Sequence, residues 1–157
     1  MADTYTQLYT HIVFAVKGRQ GLIPKHRKEA LHQYITRIIT NKKQTVIRIN
    51  SMPDHIHILI GMTPDIALSD LVRDIKANSS KFINKNGWVA GKFEWQVGFA
   101  AFSYSHSQLD TVVSYIKNQE EHHARLTFRE EYLTFLKRFN VPYNPKYVFD
   151  PDDAPKT

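Results

Sequence analysis

The chain has 157 residues, with 21 Lys and Arg against 15 Asp and Glu, a formal charge of +6 at pH 7. Hydrophobic residues make up 42% and charged residues 23%, which excludes a disordered chain and leaves material for one domain-sized core. With no cysteine, disulfide scaffolds, thiolate zinc sites and cysteine nucleophiles are excluded. No apolar run approaches the roughly 20 residues of a membrane span, and the first residues show no basic-then-apolar leader, so a cytoplasmic protein is expected. The cationic excess suits a polyanionic partner.

In chain order, residues 5–16 alternate, with Leu8, Thr10, Ile12, Phe14 and Val16 on one face and Tyr9, His11 and Val13 on the other, the pattern of a strand. A basic loop, KGRQG, follows. Pro24 opens a helix whose Leu31, Tyr34, Ile35 and Ile38 recur at helical spacing. Residues 45–50 read as a second strand, residues 52–54 as a turn, and residues 55–61 as a third strand. A second helix begins near Thr63 and carries Leu68, Leu71, Val72, Ile75 and Phe82 along one stripe. Glycines 87 and 91 mark a loop, and residues 98–105 form a fourth strand. Ser105 or Ser107 caps a third helix predicted to run to about Arg125, and Thr127 with Glu130 is a capping-box pattern opening a fourth through Leu133, Leu136 and Phe139. The expected organisation is one domain over residues 1–140 and an irregular tail over 141–157. The first six elements spell β-α-β-β-α-β, an α+β, ferredoxin-like or RRM-like antiparallel sheet with the first and third strands central and the fourth at an edge. The third helix is surplus to that plan and free to cover the second face of the sheet.

The third strand places Ile56, Ile58 and Ile60 on one face and His55 and His57 together on the other. Two readings fit this pair: ligands to one ion, or strand histidines that only hydrogen-bond. On the third helix, Tyr115, Gln119 and His122 or His123 are three or four residues apart. They read either as a nucleophile with an amide donor one turn on, or as a core tyrosine on a helix with a solvated end. If the surplus helix covers the open face, Tyr115 and Gln119 lie over the two histidines. Two imidazoles and an amide oxygen suit Mg²⁺ or Mn²⁺ held partly by substrate, and a tyrosine there would attack phosphorus. Rejoining from a phosphotyrosine needs no ATP, in keeping with the absence of a GxxxxGK[ST] loop and of any expected nucleotide cofactor.

His55-Ile56-His57 matches the His-hydrophobic-His motif of HUH endonucleases, and Tyr115 with Gln119 matches their single-tyrosine helix. With SMPDHIHILIG, LVRDIKANSSKFIN, FEWQVGFAAFSYS and YIKNQEEHH around them, the chain resembles the single-tyrosine HUH transposases of short insertion sequences, the insertion-sequence-200 type, from about Tyr5 to Phe139. The resemblance implies a homodimeric transposase that cuts and rejoins single-stranded DNA at hairpin-marked element ends. It implies His55, His57 and Gln119 as ligands of the divalent metal and Tyr115 as the nucleophile that gives a 5′-phosphotyrosine and a free 3′-OH. It also implies a composite site, with the histidines from one chain and Tyr115 from the other. The residues after Gln119 take no assigned role from it.

For nucleic acid, Lys17 and Arg19 lie in the basic loop, and Arg73, Lys76 and Lys81 lie on the second helix, positions suited to phosphates. Trp88, Trp95, Phe99 and Tyr104 offer stacking faces or core packing. A non-catalytic RRM-like module is the competing class, but its third strand should carry aromatics where this one carries histidines. A domesticated hairpin-binding relative is the other alternative. The apolar fourth strand, with no Lys or Pro to block pairing, points to a partner chain at that edge.

Overall fold

The structure, a computed structural model, describes residues 3–20, 22–145 and 148, apart from the side chain of Arg19. Gly21 and most of the tail beyond 145 lie outside the described residues. Four strands, β1 (Leu8–Ala15), β2 (Thr45–Met52), β3 (His55–Met62) and β4 (Ala100–Tyr104), form one antiparallel sheet in the order β2-β3-β1-β4. The central pair and the β4 edge are those expected from the sequence.

Alternation in the two central strands divides the interior into two cores. Ile12, Phe14 and Val16 join Ile56, Ile58 and Ile60 against Leu31, Ile35 and Ile39 of α1 (Lys28–Asn41) and Leu71, Val72 and Ile75 of α2 (Leu68–Lys85). Fully burying an aliphatic side chain of this kind is worth about 1.5–3 kcal/mol, so this face anchors β3 firmly. The opposite face is covered by two elements. Val112 and Ile116 of α3 (Leu109–Lys117) pack on Leu59. Phe128, Tyr132, Phe135 and Leu136 of α5 (Phe128–Arg138) pack on Val13, Ala15, Ala100 and Phe102. The third helix does cover this face, and it shares it with the next: α3 takes the β3 side and α5 the β1–β4 side. Sandwiched between helices, β3 is buried from His55 to Ile60.

The third helix also differs from its predicted course. Ser105 caps a short 3-10 turn, His106–Gln108, that leads into α3, and the helix then breaks at Asn118 (φ −95°, ψ 28°) before α4 (Gln119–His123). The cause lies across the sheet edge. Asn50 Nδ2 donates to the carbonyl of Ile116 at 2.7 Å and to that of Lys117 at 3.4 Å, so a side chain takes a carbonyl that a continuous helix would use. Farther on, Thr127 Oγ1 accepts from Glu130 N at 3.2 Å, the cap its sequence signals. Tyr143 and Val148 of the tail pack beside β4 on the α5 core. Among the described residues, no helix is long and apolar enough to cross a membrane.

Candidate active site

β3 begins directly after the turn at Pro53 and Asp54, which brings a carboxylate to the first histidine. Asp54 Oδ1 lies 2.6 Å from His55 Nδ1. Donation of Nδ1–H to that oxygen fixes the ring with Nε2 facing inward, the orientation that prepares an imidazole for a cation. Nε2 of His55 meets Gln119 Oε1 at 3.3 Å and Glu131 Oε1 at 3.4 Å. His57, one pleat on, has its Nδ1 2.9 Å from His11 Nε2 and its Nε2 3.0 Å from Glu131 Oε1. His123 completes the cluster, with Nε2 3.0 Å from Gln119 Oε1 and 3.2 Å from Glu131 Oε1. Tyr115, on the last turns of α3, donates its hydroxyl to Glu131 Oε2, and its ring centroid lies 6.1 Å from that of His57.

The sequence-predicted quartet of His55, His57, Tyr115 and Gln119 is thus brought together in one place, and within one chain. The short connection from β4 lets this chain's own α3 lie over its own β3, where Val112 and Ile116 pack on Leu59. His122 and His123, left open by the sequence, take different roles. His122 stacks on the Tyr115 ring at 4.5 Å between centroids, whereas His123 turns inward to Gln119 and Glu131.

Sequence reasoning missed Glu131 and the part played by His11. A signal for the first was present. Phe128, Tyr132, Phe135 and Leu136 define the apolar stripe of α5, and a carboxylate at 131 falls on that same stripe, where an acid is out of place unless it is paired. Glu131 is 1% exposed, and His11, His55, His57 and Gln119 are fully buried.

Burial acts against charge on these groups, and specific contacts then sort them. Burial would lift the Glu131 carboxyl, but hydrogen bonds from His123, His55 and His57 hold it well below the usual carboxylate range. His57 is lowered, mainly by burial, and His11 is lowered further, by burial and then by His57. For His55, burial is outweighed by the hydrogen bonds to Asp54 and Glu131, and the imidazole is raised. Burial and the adjacent Glu131 charge push the Tyr115 phenol up, so its proton stays on in this arrangement.

A buried carboxylate among inward-facing imidazole nitrogens calls for a compensating positive charge. One donor atom from each of His55, His57, His123 and Glu131 lies within 4.8 Å of every other. Around a divalent ion with bonds of about 2.1–2.2 Å, adjacent donors stand roughly 3.0–3.5 Å apart and opposite ones roughly 4.4 Å. The contacts of 3.0 to 3.4 Å that Glu131 Oε1 makes with the three imidazoles fit that spacing, and Gln119 Oε1 at 3.0 and 3.3 Å adds a fifth donor. The donor set fits a divalent metal.

The cationic residues proposed for DNA lie elsewhere. Arg73, Lys76 and Lys81 line an open groove of about 530 Å³ along α2, with Lys92, Phe93 and Trp95. Lys76 Nζ donates to the carbonyls of Gln96 at 2.8 Å and Gly98 at 2.7 Å, so it holds the loop before β4. Lys17 is paired with Glu94 at 3.3 Å. Arg19 falls in a 3-10 turn, Lys17–Arg19, and its side chain is outside the described residues. Trp95, expected either to stack on bases or to pack, is a core residue, 7% exposed, with Nε1 donating to Ser79 Oγ at 2.9 Å.

Comparison with known proteins bears on the family and the fold. The chain is 25% identical over 122 residues to the ISDra2 transposase TnpA of Deinococcus radiodurans, covering 73% of this chain and 86% of that one. It is 24% identical over 133 residues to the transposase for insertion sequence element IS200 of Salmonella typhimurium, covering 77% and 82%. Among solved structures, a transposase from Deinococcus radiodurans R1 shares the fold with a TM-score of 0.60 at 22% identity, over 76% of this chain and 95% of that one. A REP-associated tyrosine transposase bound to a REP hairpin shares it with a TM-score of 0.59 at 17% identity, over 78% and 73%. The sequence profile of the family described as "Transposase IS200 like" matches residues 4–119, from before β1 to the buried amide of Gln119, and the chain belongs to that family of DNA transposases.

Proposed function

We propose that this transposase cuts and rejoins single-stranded DNA at hairpin-marked ends through a covalent link to Tyr115. One observation carries the reading: the Tyr115 hydroxyl is tethered inside the same buried cluster as His55 and His57. His55, His57 and Gln119 would hold Mg²⁺ or Mn²⁺, with His123 and Glu131 among the donors. When bound, the ion would polarise a phosphate oxygen and offset the charge that develops on phosphorus. Tyr115 Oη forms the new bond to phosphorus as the bond to the 3′ oxygen breaks. The 5′ side is left on the tyrosine and the 3′ side leaves as a hydroxyl, so the bond energy is kept for rejoining without a nucleotide.

Hairpin DNA as the partner is supported by the REP hairpin on which the structural neighbour was solved. Arg73 and Lys81 are proposed to contact phosphates, with Lys17, Arg19 and Lys76 flanking them. The homodimer suggested by the apolar β4 edge, and a cytoplasmic location, belong to the same proposal. Light scattering at micromolar concentration reads the first directly, and a monomeric mass would reject it.

The decisive test is incubation with single-stranded DNA carrying the element end and Mn²⁺. Wild type should give a protein–DNA adduct that survives denaturation, and Tyr115→Phe should bind DNA without forming one. An adduct of undiminished yield in that variant rejects Tyr115 as nucleophile.

A further inference from the structure

The family match ends at Gln119, yet the most connected side chain of the site comes twelve positions later. We infer that Glu131 is a positioning residue that ties the nucleophile to the metal site, one carboxylate oxygen among the metal donors and the other holding the Tyr115 hydroxyl. This deepens the proposed function and rests on it.

The argument begins with the division of labour between the two oxygens. Oε1 faces three imidazole nitrogens, those of His57, His123 and His55, at 3.0, 3.2 and 3.4 Å. Among the described residues, Oε2 faces only the phenol. A carboxylate is the one side chain of this reach that offers an acceptor in both directions. Glutamine, of the same shape, offers one acceptor and one donor: an amide oxygen turned to the phenol aims NH₂ at the imidazoles, and the reverse aims it at the phenol.

Its mounting keeps both contacts in place. Phe128 stacks on the His55 ring at 4.3 Å, and Phe135 meets the Tyr115 ring edge-on at 5.5 Å and the His11 ring at 5.3 Å. These two aromatics flank Glu131 on the same face of α5, so the helix that fills the second core also sets the carboxylate between nucleophile and histidines. Aligning a nucleophile within an ångström is worth on the order of 100-fold in rate, the effect such a tether supplies.

The experiment compares wild type, Glu131→Gln and Tyr115→Phe by calorimetric titration with Mn²⁺, and then measures cleavage at saturating Mn²⁺. Glu131→Gln should bind Mn²⁺ at least about 10-fold more weakly, whereas Tyr115→Phe should stay within about 2-fold of wild type. With the metal saturated, Glu131→Gln should lose about 100-fold in kcat and keep its KM for DNA within about 3-fold, a split that general loosening of the fold would not give. Wild-type kcat in saturated Glu131→Gln, or an unchanged Mn²⁺ affinity, overturns the bridge. Should that variant not fold, the ¹³C shifts of the glutamate carboxyls in the intact site decide. One carboxyl should move both on adding Zn²⁺ to wild type and on changing Tyr115→Phe, and the absence of any carboxyl that answers to both also overturns it. A wild type that neither binds Mn²⁺ nor forms the adduct rejects the proposed function itself, a result distinct from each of these.

Discussion

Replacing Asn50 tests whether a side chain on β2 sets the position of the Gln119 amide on α4. In Asn50→Ala the Ile116 carbonyl loses its 2.7 Å partner, the weaker contact to Lys117 at 3.4 Å goes with it, and Ser51 N loses the Asn50 Oδ1 acceptor at 3.0 Å. An acceptor stranded in a half-buried site costs about 1–3 kcal/mol, and water reaches part of this one, so a loss of about 1–2 kcal/mol is expected. For a chain of this size that lowers Tm by roughly 3–6 °C. Asn50→Asp is the sharper case: it keeps the shape but aims a carboxylate oxygen at two carbonyls, so it should be less stable than Asn50→Ala at pH 7. Because the break at Asn118 immediately precedes Gln119, both variants should also bind Mn²⁺ more weakly at temperatures where they remain folded. Calorimetry supplies both readouts. Wild-type Tm in Asn50→Asp, or the expected loss of stability with unaltered Mn²⁺ affinity, would refute the idea that this contact places Gln119.

Three further variants test the α2 lysines and a half-buried histidine of α1. Lys81→Met should weaken single-stranded DNA binding and reduce the slope of log affinity against log salt by about 1, while Lys76→Met should destabilise the fold by about 1–3 kcal/mol through the loop carbonyls it leaves bare. Filter binding across a salt series and urea unfolding separate the two, and equal effects of both variants on the salt slope would refute the distinction. Burial, then Lys28 and Arg48, lowers His32 to about 4. As pH falls from about 6.5 to about 4, the unfolded chain therefore takes up a proton that the folded chain refuses, and about 2–3 kcal/mol of stability is lost once partial exposure is allowed for. Urea unfolding of His32→Gln should show that much less acid sensitivity over this window, and a pH profile identical to wild type would refute the assignment.

The sheet was legible because its central strands alternate: Ile56, Ile58 and Ile60 against His55 and His57 define both faces of β3. The same alternation put the histidines where an extra helix was needed, and Tyr115 was found there. What periodicity did not carry was the break at Asn118, since its cause is Asn50, some 70 positions away in sequence and adjacent only after folding. The choice between His122 and His123 hung on that break. Glu131 stands beside the capping-box acid Glu130 in the first turn of a helix, where acids are ordinary, and only its place on the apolar stripe sets it apart. How α3 returns over the sheet is likewise something that short-range spacing does not determine.

The buried cluster has a thermodynamic consequence for a chain that contains no cysteine. Its donors come from β3 and from α4 and α5, so a bound ion would join His55 and His57 to Gln119, His123 and Glu131, closing a loop of some 70 residues. It would act as a removable cross-link, made by mass action where other proteins use covalent sulfur. Each tenfold rise in free metal above the dissociation constant then adds about 1.4 kcal/mol to the folded state. The protein's resistance to unfolding would therefore track the metal supply of its surroundings.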